Sequence, residues 1–360
     1  MINTYIRDIS EALAQGHAAL MVGAGFSKNA KKITATDKRF LDWKELSDLF
    51  YASLYGEDRG PGKEYCSSLR LAQEVETISG RPRLDSILKE AAPDLEYAPT
   101  ELYTSLMDLP WTDVFTTNYD TLLERAADAV TSRRYHVVAS QEDLVNSNDV
   151  PRIIKLHGSF PSHRPFIITE EDYRTYPVRF APFVNTVQQS LLENVFCMVG
   201  FSCEDPNFLK WIGWIHDNLG KSSSQKIYMI SVTPILEAKA KLLFEQNIVV
   251  VDLTTIWGDK DVAGRIAAFV DALHKKVKNK EAEDAWFSAN KLPKKWQETI
   301  AGRISLLQKL NETYPGWIVL PWKMKNRVSY VLYELDRTDV LENASWQEKV
   351  DYIYEYTKFL

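Results

Sequence analysis

The chain has 360 residues, of which 45% are hydrophobic, so it is long enough for an α/β domain of roughly 250 residues and a smaller second unit. Its 43 lysines and arginines against 49 aspartates and glutamates give a net charge of −6, so no global positive field attracts it to nucleic acid. Its three cysteines, none in a C-x-x-C pair, argue against a disulfide framework and against a four-cysteine zinc module.

The hydropathy of the chain predicts no membrane segment. Residues 1–8 lack the apolar core of a signal peptide, and no stretch approaches the roughly 18 consecutive apolar residues of a membrane span. We therefore expect a cytoplasmic protein that does not interact with membranes.

The first predicted elements are a helix that ends at Gly16 and a buried parallel strand at 18–22. The strand opens directly onto a turn that consists of Gly23, Ala24, Gly25, Phe26 and Ser27. Because glycine lacks a Cβ, the backbone can turn sharply here and bring its N–H groups close to a pyrophosphate. The turn predicts a dinucleotide pocket. The third glycine of the common fingerprint is absent, so a merely tight turn is the alternative.

Between about residues 42 and 109 the sequence predicts mainly helices. Trp43, Leu46 and Phe50 are spaced as one helical face, and glycine and proline predict a loop at 56–63. Nearly seventy residues is more than an ordinary crossover between strands contains, so we interpret this segment as a helical insertion after the first strand.

The following residues, up to about 275, predict strands that alternate with amphipathic helices. The strands are expected at 113–116, 152–156, 166–168, 195–199, 227–231 and 248–252. Asp205 and Pro206 are suited to the N-cap and the first position of one of the helices. Continuous apolar strands that alternate with helices are typical of a parallel sheet with both faces covered. We therefore predict an α/β fold with a Rossmann-like parallel sheet and helices on both faces.

The segment 281–360 follows a charged stretch at 275–280 that is predicted to be a linker. It contains five of the ten tryptophans, namely Trp286, Trp296, Trp317, Trp322 and Trp346. Such a segment must bury its rings in a small domain or against a partner, so we predict a mainly helical, aromatic-rich C-terminal region for assembly or sensing. Its apolar, helix-like end suggests that the native protein is longer.

Polar residues and glycines gather where the predicted strands end. In doubly wound sheets ligands bind at the carboxyl ends of the strands, so these residues are expected to share one pocket. Besides the glycine turn, they are Thr117, Asn118, Asp120, His157, Gly200 and Ser202. Together they supply an amide, an imidazole and hydroxyl groups.

These segments, in this order, resemble those of the sirtuins, and more closely the sirtuin-like NAD-cleaving domains of prokaryotic antiphage defence proteins. The resemblance covers about residues 1–275. It implies NAD as the substrate, with Asn118 and His157 as the catalytic residues. The cofactor-binding residues that it implies are Gly23, Ala24, Gly25, Phe26, Ser27, Thr117, Asp120, Gly200, Ser202 and Ser231.

The resemblance also implies which part of NAD each of these residues contacts. The glycine turn would hold the pyrophosphate with Ser27 beside it, and Asp120 would support the Asn118 loop. Gly200 and Ser202 would line the adenosine-ribose side, and Ser231 would lie close to the adenine ribose.

The sequence departs from the deacetylase sirtuins in three ways. The paired cysteines of their zinc module are missing, so no zinc is expected and the insertion is expected to fill that space. Thr117 stands where deacetylases usually carry glutamine. No Pro-Asp-Phe-Arg stretch follows Ser27. These departures favour hydrolysis of NAD over lysine deacetylation.

The residue types fit that chemistry. Cleavage of the bond between nicotinamide and ribose develops oxocarbenium character and releases a neutral leaving group, so the protein has only to aim a water. Asn118 can hold a water or the substrate amide without acting as a base, and His157 can accept a proton at neutral pH. We hypothesise that Asn118 positions the water or the substrate and that His157 is the general base.

Other interpretations of single residues stay open. An isolated histidine after an apolar strand is more often structural, and Asn118 can equally cap the helix that follows. Asp252, after the last strand, is either a ribose partner or a cap.

The family implies a role in draining cellular NAD on infection. It also implies a homo-oligomer, control by a second component such as an ATPase, and a phage protein as trigger. Two other functions remain open: a non-catalytic module that senses NAD or an ADP-ribose derivative, and an NAD-dependent protein deacylase or ADP-ribosyltransferase.

Overall fold

The structure is a computed structural model that describes residues 2–35, 37–56, 67–147, 150–220, 224–284 and 299–313, and, further along, residues 328–329, 331–333, 335, 341 and 344–359. The chain divides into two units, Met1–Val277 and Lys278–Leu360.

The first unit contains all the strands found among the described residues. They are β1 Ala18–Val22, β2 Lys31–Lys32, β3 Tyr97–Ala98, β4 Asp113–Thr116, β5 His136–Val138, β6 Arg152–Lys155, β7 Val195–Val199, β8 Ile227–Ser231 and β9 Ile248–Asp252. Seven of them form one sheet in the order β5-β6-β4-β1-β7-β8-β9, and every neighbouring pair in it is parallel. β2 and β3 form a separate antiparallel pair. The predicted parallel sheet is confirmed, with β1 at its centre.

Helices cover both faces of the sheet. They are α1 Ile2–Gln15, α2 Ala24–Ser27, α3 Trp43–Tyr55, α4 Ser68–Ser79, α5 Arg81–Ala91, α6 Glu101–Asp108, α7 Leu122–Asp128, α8 Glu170–Arg179, α9 Ala181–Glu193, α10 Pro206–Leu219, α11 Glu237–Glu245, α12 Thr254–Trp257 and α13 Val262–Asp284. Leu20 and Val22 pack on one side with α1, α6, α7 and α13, whereas Ala19 and Met21 pack on the other with α8, α9, α10 and α11. This alternation follows from the two-residue period of a strand.

One predicted strand was wrong, and one strand was missed. Residues 166–168 form no strand although they are buried. Their backbone groups bond outside any strand pairing: Arg81 donates to the Phe166 carbonyl, and the Ile168 N–H donates to Asp172 at 3.1 Å. The Ile167 N–H donates to the His157 carbonyl at 3.0 Å. Conversely, β5 was not expected. It is an edge strand of three residues in which only Val138 is fully buried, so it carries no apolar run.

The helical insertion lies between β1 and β4 and consists mainly of α3, α4, α5 and α6. Its core includes Phe50, Leu71 and Leu84, and these pack with Phe160 and Phe166 from the segment that follows β6. The insertion is therefore attached to the part of the chain that carries His157. Apart from Gly56, the loop predicted at 56–63 lies outside the described residues.

The second unit is helical where it is described, as predicted. Its helices α14 Ile300–Thr313 and α15 Trp346–Thr357 pack through a cluster that includes Leu306, Leu310 and Tyr352. Trp346 is 80% exposed, and the other four tryptophans expected here lie outside the described residues. The boundary between the two units lies within the stretch 275–280 that was predicted to be a linker. The stretch is helical, because α13 continues through it to Asp284. Its four lysines favour helix, and it contains neither glycine nor proline.

None of the helices in the described part of the chain combines the length and the apolar character that crossing a lipid bilayer requires.

The loops after β1 and β7 meet backbone to backbone. The Gly23 N–H donates to the Val199 carbonyl at 3.1 Å, and the Gly25 N–H donates to the Gly200 carbonyl at 3.0 Å. A Cβ on Gly23 would lie 2.5 Å from the Gly200 carbonyl oxygen, and a Cβ on Gly200 would collide with the backbone of Phe26. Gly200 also has φ +64°, a value that favours glycine.

We predict that Gly200→Ala lowers the free energy of unfolding by at least about 2 kcal/mol, because the loops after β1 and β7 must then separate. Gly213→Ala is the matched control. A Cβ at this position in α10 meets nothing within 4 Å, so the change should raise stability by about 0.5–1 kcal/mol through helix propensity. Urea unfolding followed by circular dichroism measures both. Equal stability of the two variants would contradict the close approach of the loops.

Candidate active site

A cavity of about 520 Å³ opens at the carboxyl ends of the central strands. Loops after β1, β4, β6 and β7 form one part of its wall, and the helical insertion forms another. The sequence-predicted residues that line it are Ala24, Gly25, Ser27, Thr117, Asn118, Asp120, His157, Gly200 and Ser202. Residues from β1 to β7, far apart in sequence, therefore share one site.

Three predicted residues do not line this cavity. Gly23 is held in backbone contact with the loop after β7. Phe26 is fully buried, with its ring centroid 4.5 Å from that of Tyr103. Ser231 is buried and donates its hydroxyl hydrogen to the Thr233 carbonyl at 2.5 Å.

The expected role of the glycine amides needs correction. The N–H groups of Gly23 and Gly25 are already bonded to the carbonyls of Val199, at the end of β7, and Gly200, so they are not available to a pyrophosphate. The glycines instead allow two backbones to touch. This matters for the site, because Ala24, Gly25 and Gly200 form one continuous piece of the cavity wall.

Asn118 is fixed by a chain of hydrogen bonds. Its Nδ2 donates to Ser27 Oγ at 3.0 Å, and Ser27 Oγ donates to Asp120 Oδ2 at 2.8 Å. The Asn118 N–H donates to Thr116 Oγ1 at 3.0 Å. These bonds orient the amide, and its Oδ1 is buried with no hydrogen-bond partner among the described residues.

A buried lysine at the end of β6 binds the loop that carries Asn118. Lys155, at the end of β6, donates from Nζ to the Asp120 carbonyl, and the same Nζ lies 2.9 Å from Glu124 Oε1. Burial raises the pKa of the Asp120 carboxyl, while the Lys155 charge and the Ser27 hydrogen bond act in the opposite direction. The loop that carries Asn118 is therefore tied to two neighbouring strands, β1 and β6.

His157 is buried between tyrosine rings. It makes edge contacts with Tyr173 and Tyr176 at centroid distances of 5.4 and 5.8 Å. Its Nε2 has no hydrogen-bond partner among the described residues. Burial lowers the pKa of His157, against the opposing charges of Asp205 and Asp172. The neutral imidazole, which can accept a proton, is therefore favoured at neutral pH.

Sequence reasoning missed the functional position of Asp205 and Tyr173, which also line the cavity. Asp205 is the N-cap of α10, as predicted, and its Oδ2 lies 4.0 Å from His157 Nε2. The rule that selects residues after strand ends would have found Asp205, since it follows β7 by a few residues. No local pattern marks Tyr173, which belongs to α8.

The charges around the cavity are uneven. Lys28 is the only lysine or arginine among the described residues that line it, whereas Asp42, Asp120, Glu204 and Asp205 are acidic. Lys28 Nζ lies 3.4 Å from Asp42 Oδ2. A polyanion could therefore meet one positive charge here, and the acidic side chains suit a cationic group.

No group of three or more histidine, cysteine, aspartate or glutamate side chains that could hold a metal ion occurs in the described part of the chain. Asp252 makes its hydrogen bonds with Thr254, whose N–H and hydroxyl donate to Oδ1 at 2.9 and 2.7 Å. It does not line the cavity.

Comparison with known families assigns this part of the fold. Residues 112–251, which contain Asn118, His157 and Asp205, match the family model described as the SIR2-like domain. This stretch of the chain is thus similar to a SIR2-like domain. The sirtuin-like resemblance seen in the sequence is confirmed.

Curated relatives match more of the chain than the family model does. Defense-associated sirtuin 2 of Bacillus subtilis is 23% identical over 282 residues, which are 76% of this chain and 27% of that protein. Proteins named NAD(+) hydrolase ThsA from Acinetobacter baumannii and Enterococcus faecium are each 30% identical over 58% of this chain, and the matches cover 40% and 43% of those proteins. The chain spans less than half the length of these relatives.

Solved structures that resemble the chain include a SIR2 homologue in complex with NAD. It is 14% identical, and the match covers 75% of this chain and 94% of that one with a TM-score of 0.41. A Sir2 homologue in complex with ADP-ribose is also 14% identical. The match covers 77% of this chain and 98% of that one, with a TM-score of 0.42.

We predict that Lys155→Met lowers the free energy of unfolding by about 3–5 kcal/mol, because it leaves Glu124 as a buried charge without its partner. The double variant Lys155→Met with Glu124→Gln should lose less than the sum of the two single changes. Lys226→Met is the control. Its ion pair with Asp8, at 3.2 Å, is exposed and should contribute no more than about 1 kcal/mol. Additive single changes in urea unfolding would contradict a coupled buried pair.

Proposed function

We propose that this protein is an NAD hydrolase that cleaves the bond between nicotinamide and ribose and releases nicotinamide and ADP-ribose. The observation that carries the proposal is the pair of buried polar atoms without partners, Asn118 Oδ1 and His157 Nε2, on two residues that line one cavity. Such atoms cost free energy and are usually satisfied, so a ligand or water molecules that bond to them are the expected completion of the site. The names of the ThsA relatives support NAD as that ligand.

The proposed reaction needs an oriented water and a base. As the C1′–N bond breaks, its electron pair leaves with nicotinamide and positive charge develops on the ribose. Asn118 Oδ1 accepts a hydrogen bond from the water or a ribose hydroxyl. The water oxygen then bonds to C1′, and its proton moves to His157 Nε2. Burial lowers the pKa of His157 and so keeps that nitrogen free to accept it.

The charges of the cavity suggest how NAD lies in it. We expect Lys28 to bind the diphosphate of NAD, with the phosphate oxygens replacing Asp42 as the partner of its Nζ. The ribose carbon that becomes positive is expected near His157 and Asp205. The remaining cofactor-binding residues that line the cavity are proposed to contact the ribose and phosphate groups between these two ends.

The biological part of the proposal is antiphage defence by depletion of cytoplasmic NAD, which the name of the Bacillus subtilis relative supports. An unrestrained NAD hydrolase would harm its own cell, so we propose control through homo-oligomers, a second component such as an ATPase, or a phage protein. The domain organisation we propose is a catalytic part over residues 1–275 and a part for assembly or sensing over 281–360.

We predict that Asn118→Ala and His157→Ala each lower nicotinamide release by at least about 100-fold, the order of magnitude of general acid–base catalysis. Both variants should keep the fold and the melting temperature within a few degrees. His216→Gln, on α10 and outside the cavity, should behave as wild type. Chromatography of NAD incubated with each protein, alone and with proteins encoded by neighbouring genes, measures the release. Wild-type rates in either site variant would refute the assignment.

The same incubations separate the alternative functions. Binding of NAD by calorimetry without any nicotinamide release would favour a sensing module. Labelled NAD distinguishes a hydrolase, which leaves ADP-ribose in solution, from a transferase, which attaches it to protein.

We predict that Lys28→Met raises KM for NAD by about 10- to 100-fold and leaves kcat nearly unchanged, because a hydrogen bond to a charged group contributes about 1.5–3 kcal/mol. Lys32→Met is the matched control, since Lys32 is exposed and does not line the cavity. Initial rates over a range of NAD concentrations test this. An unchanged KM would show that the diphosphate binds elsewhere.

A further inference from the structure

His157 faces a carboxylate that does not touch it. Asp205 Oδ2 lies 4.0 Å from His157 Nε2, and the two side chains are 9% and 3% exposed. This distance is too long for a hydrogen bond, and Nε2 makes none within the described part of the chain. The distance is nevertheless short enough for the Asp205 carboxylate to act strongly on the charge of the His157 imidazole in a buried site.

Hydrogen bonds to groups other than His157 hold the Asp205 carboxylate in place. Its Oδ1 accepts from the N–H groups of Asn207 and Phe208 at 2.9 and 3.0 Å, which caps α10. Its Oδ2 accepts from the Tyr173 hydroxyl at 2.7 Å. The carboxylate therefore cannot turn towards His157 without giving up an existing bond.

The other groups that face His157 come from α8. Asp172 is engaged with Arg81, whose NH1 lies 3.0 Å from Oδ2, and with the N–H groups of Ile168 and Thr169. The Tyr176 hydroxyl donates to the Leu156 carbonyl at 2.8 Å. By contrast, no lysine or arginine forms an ion pair with Asp205 within the described residues. The Asp205 charge is thus the less neutralised of the two near the imidazole.

We propose that Asp205 is a positioning residue of the hydrolytic reaction, whose fixed carboxylate stabilises the imidazolium that forms when His157 takes the proton of the attacking water. Tyr173 keeps Asp205 off the imidazole in the resting protein. A direct ion pair would hold His157 protonated and unable to act as a base. The catalytic part of this inference rests on the proposed function, whereas the coupling of Asp205, Tyr173 and His157 does not.

The coupling predicts opposite effects of two conservative changes. Asp205→Asn keeps an oxygen for the α10 cap and removes the charge, so the pKa of His157 should fall by about one unit or more. Tyr173→Phe keeps the ring and removes the hydroxyl, which leaves Asp205 Oδ2 free to interact with the imidazolium, so the pKa of His157 should rise. If Asp205 and Tyr173 had only structural roles, the two changes would not shift the pKa of His157 in opposite directions.

Two measurements on the full chain test the coupling. Proton–carbon NMR of histidine-labelled protein follows the His157 ring from pH 5 to 9, with the resonance assigned by its loss in His157→Gln. The pH profile of kcat/KM for NAD should place its acidic limb at lower pH in Asp205→Asn and at higher pH in Tyr173→Phe. In Asp205→Asn, kcat should fall about ten-fold while KM stays within about two-fold. Asp252→Asn, a change at an acid that ends a strand and lies outside the cavity, should match wild type.

The outcomes separate this inference from the proposed function. Titration of His157 in the order Asp205→Asn, wild type, Tyr173→Phe, from lowest to highest pH, supports the coupling. Coincident or reversed titrations, or an imidazole that stays neutral throughout in all three proteins, overturn it. If wild type releases no nicotinamide, the proposed function fails, and the NMR titration still decides whether Asp205 acts on His157.

Discussion

The contact between the loops after β1 and β7 is the constraint on which the site depends. β1 and β7 are neighbours at the centre of the sheet, and Gly23, Gly25 and Gly200 let the two loops touch without side chains between them. This contact uses two N–H groups that a glycine turn could otherwise offer to phosphate. The polar side chains of the cavity wall therefore come from Ser27, Lys28, the insertion and the loops after β4, β6 and β7.

Two buried networks hold the polar groups at this wall. One joins Asn118, Ser27 and Asp120 and is supported by Lys155. The other surrounds His157 with tyrosine rings and a distant carboxylate. Each network leaves one atom of a cavity residue, Asn118 Oδ1 or His157 Nε2, without a hydrogen-bond partner in the described part of the chain. That pattern suits a site in which the bound molecule supplies the last hydrogen bonds.

The helical insertion connects the cavity to the rest of the chain. Its residues Leu46, Leu88 and Ala91 form an apolar part of the wall. Arg81, at the start of α5, lies between Glu76, Asp85 and Asp172 and contacts the Phe166 carbonyl. These contacts link the insertion to α8 and to the segment that follows His157.

The sequence by itself determined the parallel sheet, the two-sided cover of helices and the segments that meet at the cavity, because strand periodicity, caps and strand ends are local patterns. It also placed Asn118 and His157 in one cavity, since parallel strands end at the same edge. Only the tertiary structure decided which groups are already bonded. Ser27 bonds to Asp120 across 93 residues and Tyr173 to Asp205 across 32, and the burial of 166–168 without a strand depends on Arg81 and Asp172. No local pattern encodes such pairs, because each partner lies on a different element and meets the other only after the chain has folded.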